Sequence, residues 1–193
     1  MLQPTVSGLR WSGSTRVDQK SKSAPSLAVF NNQLWMAFVA NNDSNDILVC
    51  SSPDGTHWSG NTRVDQSSRA APSLAVFKNQ LRVAFLPNNS NNDALICSSS
   101  DGTYWSGNTL IGMAGQLGAS SPSLAVFNNQ LWVAFGEDAV RTLSSPDGTH
   151  WSGDDQIGQR SKSAPSLAVF NNKLWVAFVA MNLSNDVLIC SGE

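Results

Sequence analysis

Short apolar runs alternate with polar turns along the whole chain, and each run is too short for a helix of ordinary length. In the first copy of this pattern, an apolar run at 24–30 is followed by two asparagines and a second run at 34–40. A polar loop leads to a third run at 47–52, and a Pro-Asp-Gly turn leads to a fourth at 58–64. The second and third runs are almost continuously apolar, as is typical of strands buried on both faces. The pattern therefore predicts an all-β chain.

The same set of runs recurs four times. Every copy carries the segment PSLAVF, which begins at residues 25, 72, 122 and 165. A Trp-Ser-Gly segment follows the same period, at Trp11, Trp58, Trp105 and Trp151, with spacings of 47, 47 and 46 residues. The third copy differs by a longer loop before its first strand and a shorter loop after its second. A unit of this length with four strands is typical of one propeller blade. The sequence predicts a four-bladed β-propeller with four antiparallel strands per blade.

The blade limits follow from the repeat, and all blades belong to a single domain of residues 1–193. The predicted blades span about 18–64, 65–111, 112–157 and 158–190. The chain begins with a lone fourth strand at 11–17 and finishes with three strands. We therefore expect residues 11–17 to complete the last blade and close the ring, which leaves no free strand edge. A domain-swapped oligomer of the same blades is the structural alternative.

Composition excludes several classes of partner. Charged residues make up 13% of the chain and the formal net charge is −2, so no basic stripe is present for nucleic acid. No apolar run reaches the roughly 20 residues that cross a bilayer, and the first residues lack the features of a signal peptide. We expect a cytoplasmic monomer or small homo-oligomer without membrane insertion, with non-classical secretion as an alternative.

The three cysteines occupy equivalent positions in their repeats. They are Cys50, Cys97 and Cys190, and Leu143 stands at this position in the remaining repeat. A position that accepts leucine is an apolar packing position, and equivalent positions in successive repeats lie too far apart for a disulfide. We predict free, structural thiols. No zinc-type spacing or calcium loop is present, and no cofactor or metal is predicted.

One polar turn returns three times, as SSPDGTHW at 51–58 and 144–151 and as SSSDGTYW at 98–105. It resembles the Asp-box of sialidases and related propellers, in a version one residue shorter. In that family the box is the turn between the third and fourth strands of a blade and serves as scaffold. The resemblance implies that Asp54, Asp101 and Asp147 are structural. We expect each aspartate to cap backbone N–H groups and each glycine to supply a left-handed residue.

Candidate catalytic residues are scarce. The only tyrosine is Tyr104, and the only glutamates are Glu137 and Glu193. A glycosidase of ordinary type needs two carboxylates in different environments. Most acidic residues here are echoed in other repeats, which disfavours a unique pair. The sequence therefore predicts that the protein is not an enzyme.

The whole unit, over residues 11–190, also resembles the repeats of fungal and bacterial β-propeller lectins, which implies sugar sites on or between blades. Tryptophan starts the second strand of three blades and arginine replaces it in the other, so we expect this position to reach solvent, where a tryptophan face can stack on a sugar. The predicted ligand-binding residues at this position are Trp35, Arg82, Trp132 and Trp175. Their predicted partners in the following loops are Asn41, Asp46, Asn88, Asp93, Asn182 and Asp186. The structural alternative is that the tryptophans pack between blades.

The leading functional prediction is a multivalent lectin that binds glycans or glycoconjugates, because repeated weak sites combine into avidity. A non-enzymatic scaffold for protein interaction is the first alternative. A glycosidase is the weaker alternative.

Overall fold

The strands form four antiparallel sheets in a computed structural model that describes residues 13–14, 16–89, 93–112, 120–136 and 139–192. Blade 1 contains β1 (Ser26–Phe30), β2 (Gln33–Val39), β3 (Asp46–Ser52) and β4 (Thr62–Ser67). Blade 2 contains β5 (Ser73–Phe77), β6 (Gln80–Phe85), β7 (Leu95–Ser99) and β8 (Thr109–Leu110). Blade 3 contains β9 (Ser123–Phe127), β10 (Gln130–Phe135), β11 (Arg141–Ser145) and β12 (Ser152–Gln156). Blade 4 contains β13 (Ser166–Phe170), β14 (Lys173–Val179) and β15 (Val187–Gly192).

The four blades are arranged as a β-propeller, and the predicted all-β fold class is confirmed. The described residues contain no helix, so none is present there that could cross a membrane. Within each sheet the strands pair in chain order, and the first strands of successive blades pack on one another: β1 on β5, β5 on β9, and β9 on β13. These first strands are therefore the innermost.

A serine on each of three inner strands accepts a hydrogen bond from the backbone of the next blade. The Ser26 hydroxyl accepts a hydrogen bond from the Leu74 N–H at 2.9 Å. Ser73 accepts in the same way from Leu124, at 3.0 Å, and Ser123 from Leu167, at 3.0 Å. The blade-to-blade geometry is thus set by a repeated backbone contact as well as by packing.

Two-residue turns join the first and second strands, as the asparagine pairs predict. Asn31 and Asn32 have φ values of 49° and 56°, and β1 pairs with β2 from Phe30–Gln33 outward. Asparagine tolerates the left-handed region better than most residues, which suits this hairpin. Lys78 and Asn79 adopt the same φ signs in blade 2, so the turn geometry holds even where lysine replaces the first asparagine.

The hydrophobic core lies between blades rather than at one centre. Phe30, Ile47 and Val49 of blade 1 pack with Leu81 and Phe85 of blade 2. Equivalent clusters join blade 2 to blade 3 and blade 3 to blade 4. A sheet with a neighbour on each side buries both faces, which explains the continuous apolar runs of the second and third strands.

The fourth strand departs from the sequence prediction at its start. In blade 1 it begins at Thr62 rather than at residue 58, because residues 59–61 follow the turn without ladder pairing to β3. The strand predicted at residues 11–17 lies mostly outside the described residues, and three strands of blade 4 are described. Its predicted role in closing the ring stays a prediction.

The cysteines are free, as predicted. Burial raises the pKa of the Cys50 thiol to about 11 and that of the Cys97 thiol to about 12. Cys190 is only partly buried. Because the thiolate is the reactive form, we expect Cys190 to react first with a chromogenic disulfide at pH 8. The other two thiols should react at least tenfold more slowly until the protein is denatured. Equal rates for all three in the native protein would contradict this assignment.

Candidate functional site

The polar turns between third and fourth strands are self-contained caps. The Asp54 carboxylate accepts hydrogen bonds from the N–H groups of Thr56 and His57, both at 2.8 Å. The Ser52 hydroxyl accepts one from the Gly55 N–H at 2.8 Å, and Gly55 has a φ of 78°. The turns at Asp101 and Asp147 repeat this geometry. The predicted roles of the aspartate and the glycine are confirmed.

The same hydrogen bonds shift the carboxyl pKa values. The backbone N–H of His57, followed by its ring and the N–H of Thr56, holds the pKa of Asp54 well below its ordinary range. The His150 backbone N–H has the same effect on the pKa of Asp147, and the Tyr104 backbone N–H lowers that of Asp101. The shifts arise from capping bonds, so they mark ionised structural carboxylates rather than proton donors.

These lowered pKa values predict acid sensitivity. A carboxyl whose folded pKa lies below its unfolded value of about 3.9 stabilises the fold above that pH, and the stabilisation is lost as the pH falls toward the folded pKa. We expect the Asp54→Asn, Asp101→Asn and Asp147→Asn triple variant to have a lower Tm than the parent at pH 6. The difference should shrink between about pH 4 and pH 2. A difference that is constant over this range, measured by scanning calorimetry, would contradict the capping role.

The position at the start of the second strand packs on the next blade. The Trp35 ring lies against Gly102 in the polar turn of blade 2, and its Nε1 donates a hydrogen bond to the Phe30 carbonyl at 3.2 Å. A Cβ atom at residue 102 would overlap that ring. Trp132 and Trp175 make the same bond to the Phe127 and Phe170 carbonyls. For Trp35, this packing between blades is the structural alternative to sugar binding.

Arg82 corrects the expectation that this position reaches solvent, because it is only 6% exposed. Its guanidinium lies over Gly148 and donates to the Asp147 carbonyl oxygen at 3.2 Å and to the Gln80 side chain at 2.9 Å. The arginine therefore fills the place of a tryptophan while its charge finds polar partners between blades. Ligand binding by Trp35, Arg82, Trp132 and Trp175 stays a prediction.

The loops between second and third strands are held by hydrogen bonds from their own side chains and from a lysine that precedes the first strand. In blade 1, the Lys22 ammonium donates to the Asn42 carbonyl at 2.6 Å and to the Asn45 side chain at 2.7 Å. The Asn42 amide donates to Asp46 at 2.9 Å. Blade 4 repeats these contacts with Lys162, Asn182, Asn185 and Asp186. Asn41 and Asn88 are exposed, Asp93 is half-buried, and residues 90–92 lie outside the described residues. Sugar contacts by these loops likewise stay predictions.

One carboxylate in these loops differs from its counterparts. Asp46 is buried, and its Oδ1 lies 2.8 Å from Nη2 of Arg63 on the neighbouring strand. The Nε atom of the same guanidinium lies 3.9 Å from Oδ1 of Asp65. The side chain of Asp46 is 12% exposed and that of Asp65 is 88% exposed. Arg63 thus joins two carboxylates that occupy opposite environments, and we call Asp46, Arg63 and Asp65 the carboxylate pair site.

A bulge creates this arrangement. The β3–β4 register shifts between Asp46, which pairs with Ser67, and Leu48, which pairs with Arg63. Asp65 lies in the shifted segment with a φ of 58°, an uncommon value for a residue other than glycine. Glycine stands at the equivalent positions, Gly112 and Gly158, with φ values of 71° and 70°. The left-handed position belongs to the repeat, and a carboxylate occupies it at Asp18 and Asp65.

Among the described residues, the three side chains come together in blade 1 alone. The equivalents of Arg63 and Asp65 are Leu110 and Gly112 in blade 2, and Gln156 and Gly158 in blade 3. Arg16 and Asp18 repeat the pair ahead of blade 1, at 3.3 Å, without a described equivalent of Asp46. Asp186, Arg16 and Asp18 repeat the three residue types in the sequence, but the described structure joins all three types only in blade 1. No group of three or more His, Cys, Asp or Glu side chains in the described part of the chain is placed to hold a metal ion.

Comparison with known proteins gives the class of fold. No protein-family model matches the sequence, and no curated protein sequence matches it. An α-L-arabinanase from Penicillium chrysogenum complexed with arabinobiose has a TM-score of 0.71 at 14% identity, over 93% of this chain and 65% of that chain. A GH43_1 enzyme from Xanthomonas citri complexed with xylose has a TM-score of 0.66 at 10% identity, over 88% of this chain and 69% of that chain. A GH43 endo-arabinanase from Bacillus licheniformis has a TM-score of 0.63 at 14% identity, over 92% and 73%. At these identities the likeness establishes the β-propeller fold.

These solved structures correct two predictions. The lectin prediction and the prediction that the protein is not an enzyme are overturned, because the propellers that share its fold are glycoside hydrolases. The glycosidase, which the sequence ranked last, fits them better. The resemblance to propellers is supported, whereas the resemblance to Asp-box lectins is not.

Proposed function

We propose that the protein is a glycoside hydrolase whose two working carboxylates are Asp46 and Asp65. One observation carries the assignment: a single guanidinium, that of Arg63, contacts a buried and an exposed carboxylate. Glycosidases use two carboxyl groups in different environments. The likeness of the fold to sugar-cleaving propellers supports the same class of activity.

The spacing of the two carboxylates suits this chemistry. Because one guanidinium reaches both, the contacting oxygens are at most about 9 Å apart, on the scale of roughly 5–9.5 Å that separates the carboxyl groups of glycosidases. Asp46 is held by Arg63 and by the Asn42 amide, so the position of its carboxylate is fixed. Asp65 is more loosely held, at 3.9 Å from the guanidinium, and is open to solvent, so a substrate can reach it. We assign Asp46 as nucleophile or charge stabiliser and Asp65 as the proton-transfer group.

The proposed substrates are oligosaccharides that contain pentoses. Arabinobiose, xylose and xylotriose are the sugars bound in propellers of similar fold. An exposed carboxylate beside a shallow polar loop suits a chain of neutral sugars, because the site presents hydrogen-bond acceptors and the Arg63 donors rather than a deep apolar pocket.

The test is sugar release from arabino- and xylo-oligosaccharides, measured by chromatography with the purified protein and with Asp46→Asn. We expect release by the parent and a loss of at least about a hundredfold in the variant. Asp186→Asn is the matched control, because Asp186 holds the same loop position and the same asparagine contact in blade 4. It should cleave at the parental rate. No release by the folded parent from any pentose oligosaccharide would overturn the proposal.

A further inference from the structure

One face of blade 4 is uncovered. Phe170 is 62% exposed, whereas its equivalents Phe30, Phe77 and Phe127 are 3%, 2% and 6% exposed. Val187 and Ile189 are 75% and 62% exposed, and their blade 1 equivalents Ile47 and Val49 are fully buried. These are the side chains that bind the following blade at the three internal interfaces. Blade 4 therefore presents an unfilled copy of that interface.

The opposite face is uncovered on blade 1. Leu27 and Val29 on β1 are 56% and 69% exposed, whereas Leu74, the equivalent of Leu27, is 5% exposed against blade 1. Further out, the same face of blade 1 is covered: Met36 and Cys50 are buried and Val17 packs on them. Val17 lies 47 residues before Val64, which packs on blade 2 in the same way. Blade 1 thus contacts the last part of a preceding blade but none of its inner strands.

The hydrogen bonds and strand edges agree with the burial. At three interfaces a leucine N–H donates to a serine hydroxyl of the preceding blade. Among the described residues, the Leu27 N–H makes no equivalent bond to Ser166. The described strands show no packing of β13 on β1 comparable to that of β9 on β13. The outer edge of β15 has no paired strand within the described chain. The described strands are therefore bounded by two apolar faces and one free edge.

We propose that these two faces form one docking surface and that its occupant is one further blade of the same 47-residue repeat. The occupant is inferred from the three internal interfaces, where the same two kinds of apolar face meet. The residue types on the free face of blade 4 bind the residue types on the free face of blade 1 at every internal interface. The strands without a described counterpart are the fourth strand of blade 4 and three inner strands, which together make up one repeat unit.

The test extends the full chain by one unit. Residues 147–193, one complete period, are appended after residue 193, and binding of the apolar dye ANS, Tm and amide exchange are measured. We expect ANS fluorescence to fall several-fold, Tm to rise by several degrees, and exchange in β15 to slow by at least about tenfold. The matched control carries Val176→Asp and Phe178→Asp in the appended copy, because those residues would contact blade 4. It should behave as the parent.

Three results would overturn the proposal. The extended protein and its control could be identical in all three measurements. The parent could protect the β15 amides as strongly as those of β3 while monomeric, which would mean that the chain closes on itself. The parent could also form a dimer by sedimentation in which β15 is protected, which would make a second copy the occupant.

Discussion

Replacing Phe77 by alanine is expected to destabilise the protein by about 3–5 kcal/mol, whereas Phe170→Ala should change stability by less than about 1 kcal/mol. Both phenylalanines end the inner strand of a blade, and both stand in the sequence SLAVF. Phe77 is 2% exposed in the core between blades 2 and 3, so its removal leaves a cavity. Phe170 is 62% exposed and leaves none.

The comparison is informative because residue type and strand position are the same in the two variants. Urea unfolding monitored by tryptophan fluorescence gives both free energies of unfolding. A loss of about 4 kcal/mol is a large part of the 5–15 kcal/mol that stabilises a domain, so Phe77→Ala should unfold well below the parental midpoint. Equal losses for both variants would show that the face of blade 4 is buried in solution.

Asp65→Gly is expected to lower the rate of oligosaccharide cleavage by about 10²–10⁴-fold, the contribution of a positioned acid or base. Glycine is the suitable replacement because Gly112 and Gly158 adopt the same positive φ at the equivalent positions of blades 2 and 3. The variant removes the carboxylate and relieves a strained residue, so its stability should equal or exceed that of the parent. Reduced activity in a protein of undiminished stability separates a catalytic role from a structural one.

Asp18→Gly provides the control for that variant. Asp18 has a φ of 54° and pairs with Arg16 at 3.3 Å, as Asp65 pairs with Arg63, but no described carboxylate stands in the place of Asp46. We expect unchanged cleavage. Loss of activity in both variants would place the chemistry elsewhere on the propeller.

The repeat made most of the fold predictable. Hairpin asparagine pairs and turn glycines each occur three times and continuous apolar runs occur in all four blades, so each pattern can be checked against its repeats. The hairpins at Asn31 and the caps at Asp54 therefore appear as the sequence predicts. The predicted start of the fourth strand was wrong in blade 1, because residues 59–61 are Ser-Gly-Asn, a turn-favouring sequence, and ladder pairing with β3 begins only at Thr62.

The candidate site was less predictable, for two physical reasons. The burial of Arg82 depends on Gly148 and on the Asp147 carbonyl of the next blade, and no local sequence pattern predicts these contacts. The pairing of Asp46 with Arg63 and Asp65 depends on a bulge that shifts one strand against its neighbour. Asp186, Arg16 and Asp18 carry the same residue types in the sequence, but the described structure brings all three types together in blade 1 alone.

The most direct test of the proposed carboxylate pair is the rate of arabino-oligosaccharide cleavage by the parent, divided by that of the Asp46→Asn, Asp65→Gly double variant. We expect cleavage by the parent and a rate ratio of at least about 10². Circular dichroism should show that both proteins are folded. The cleavage rate of the double variant should be close to that of the slower single variant, because the two groups act as one unit. Equal rates, or a folded parent that releases no sugar, would contradict the assignment of this propeller as a glycoside hydrolase that uses this carboxylate pair.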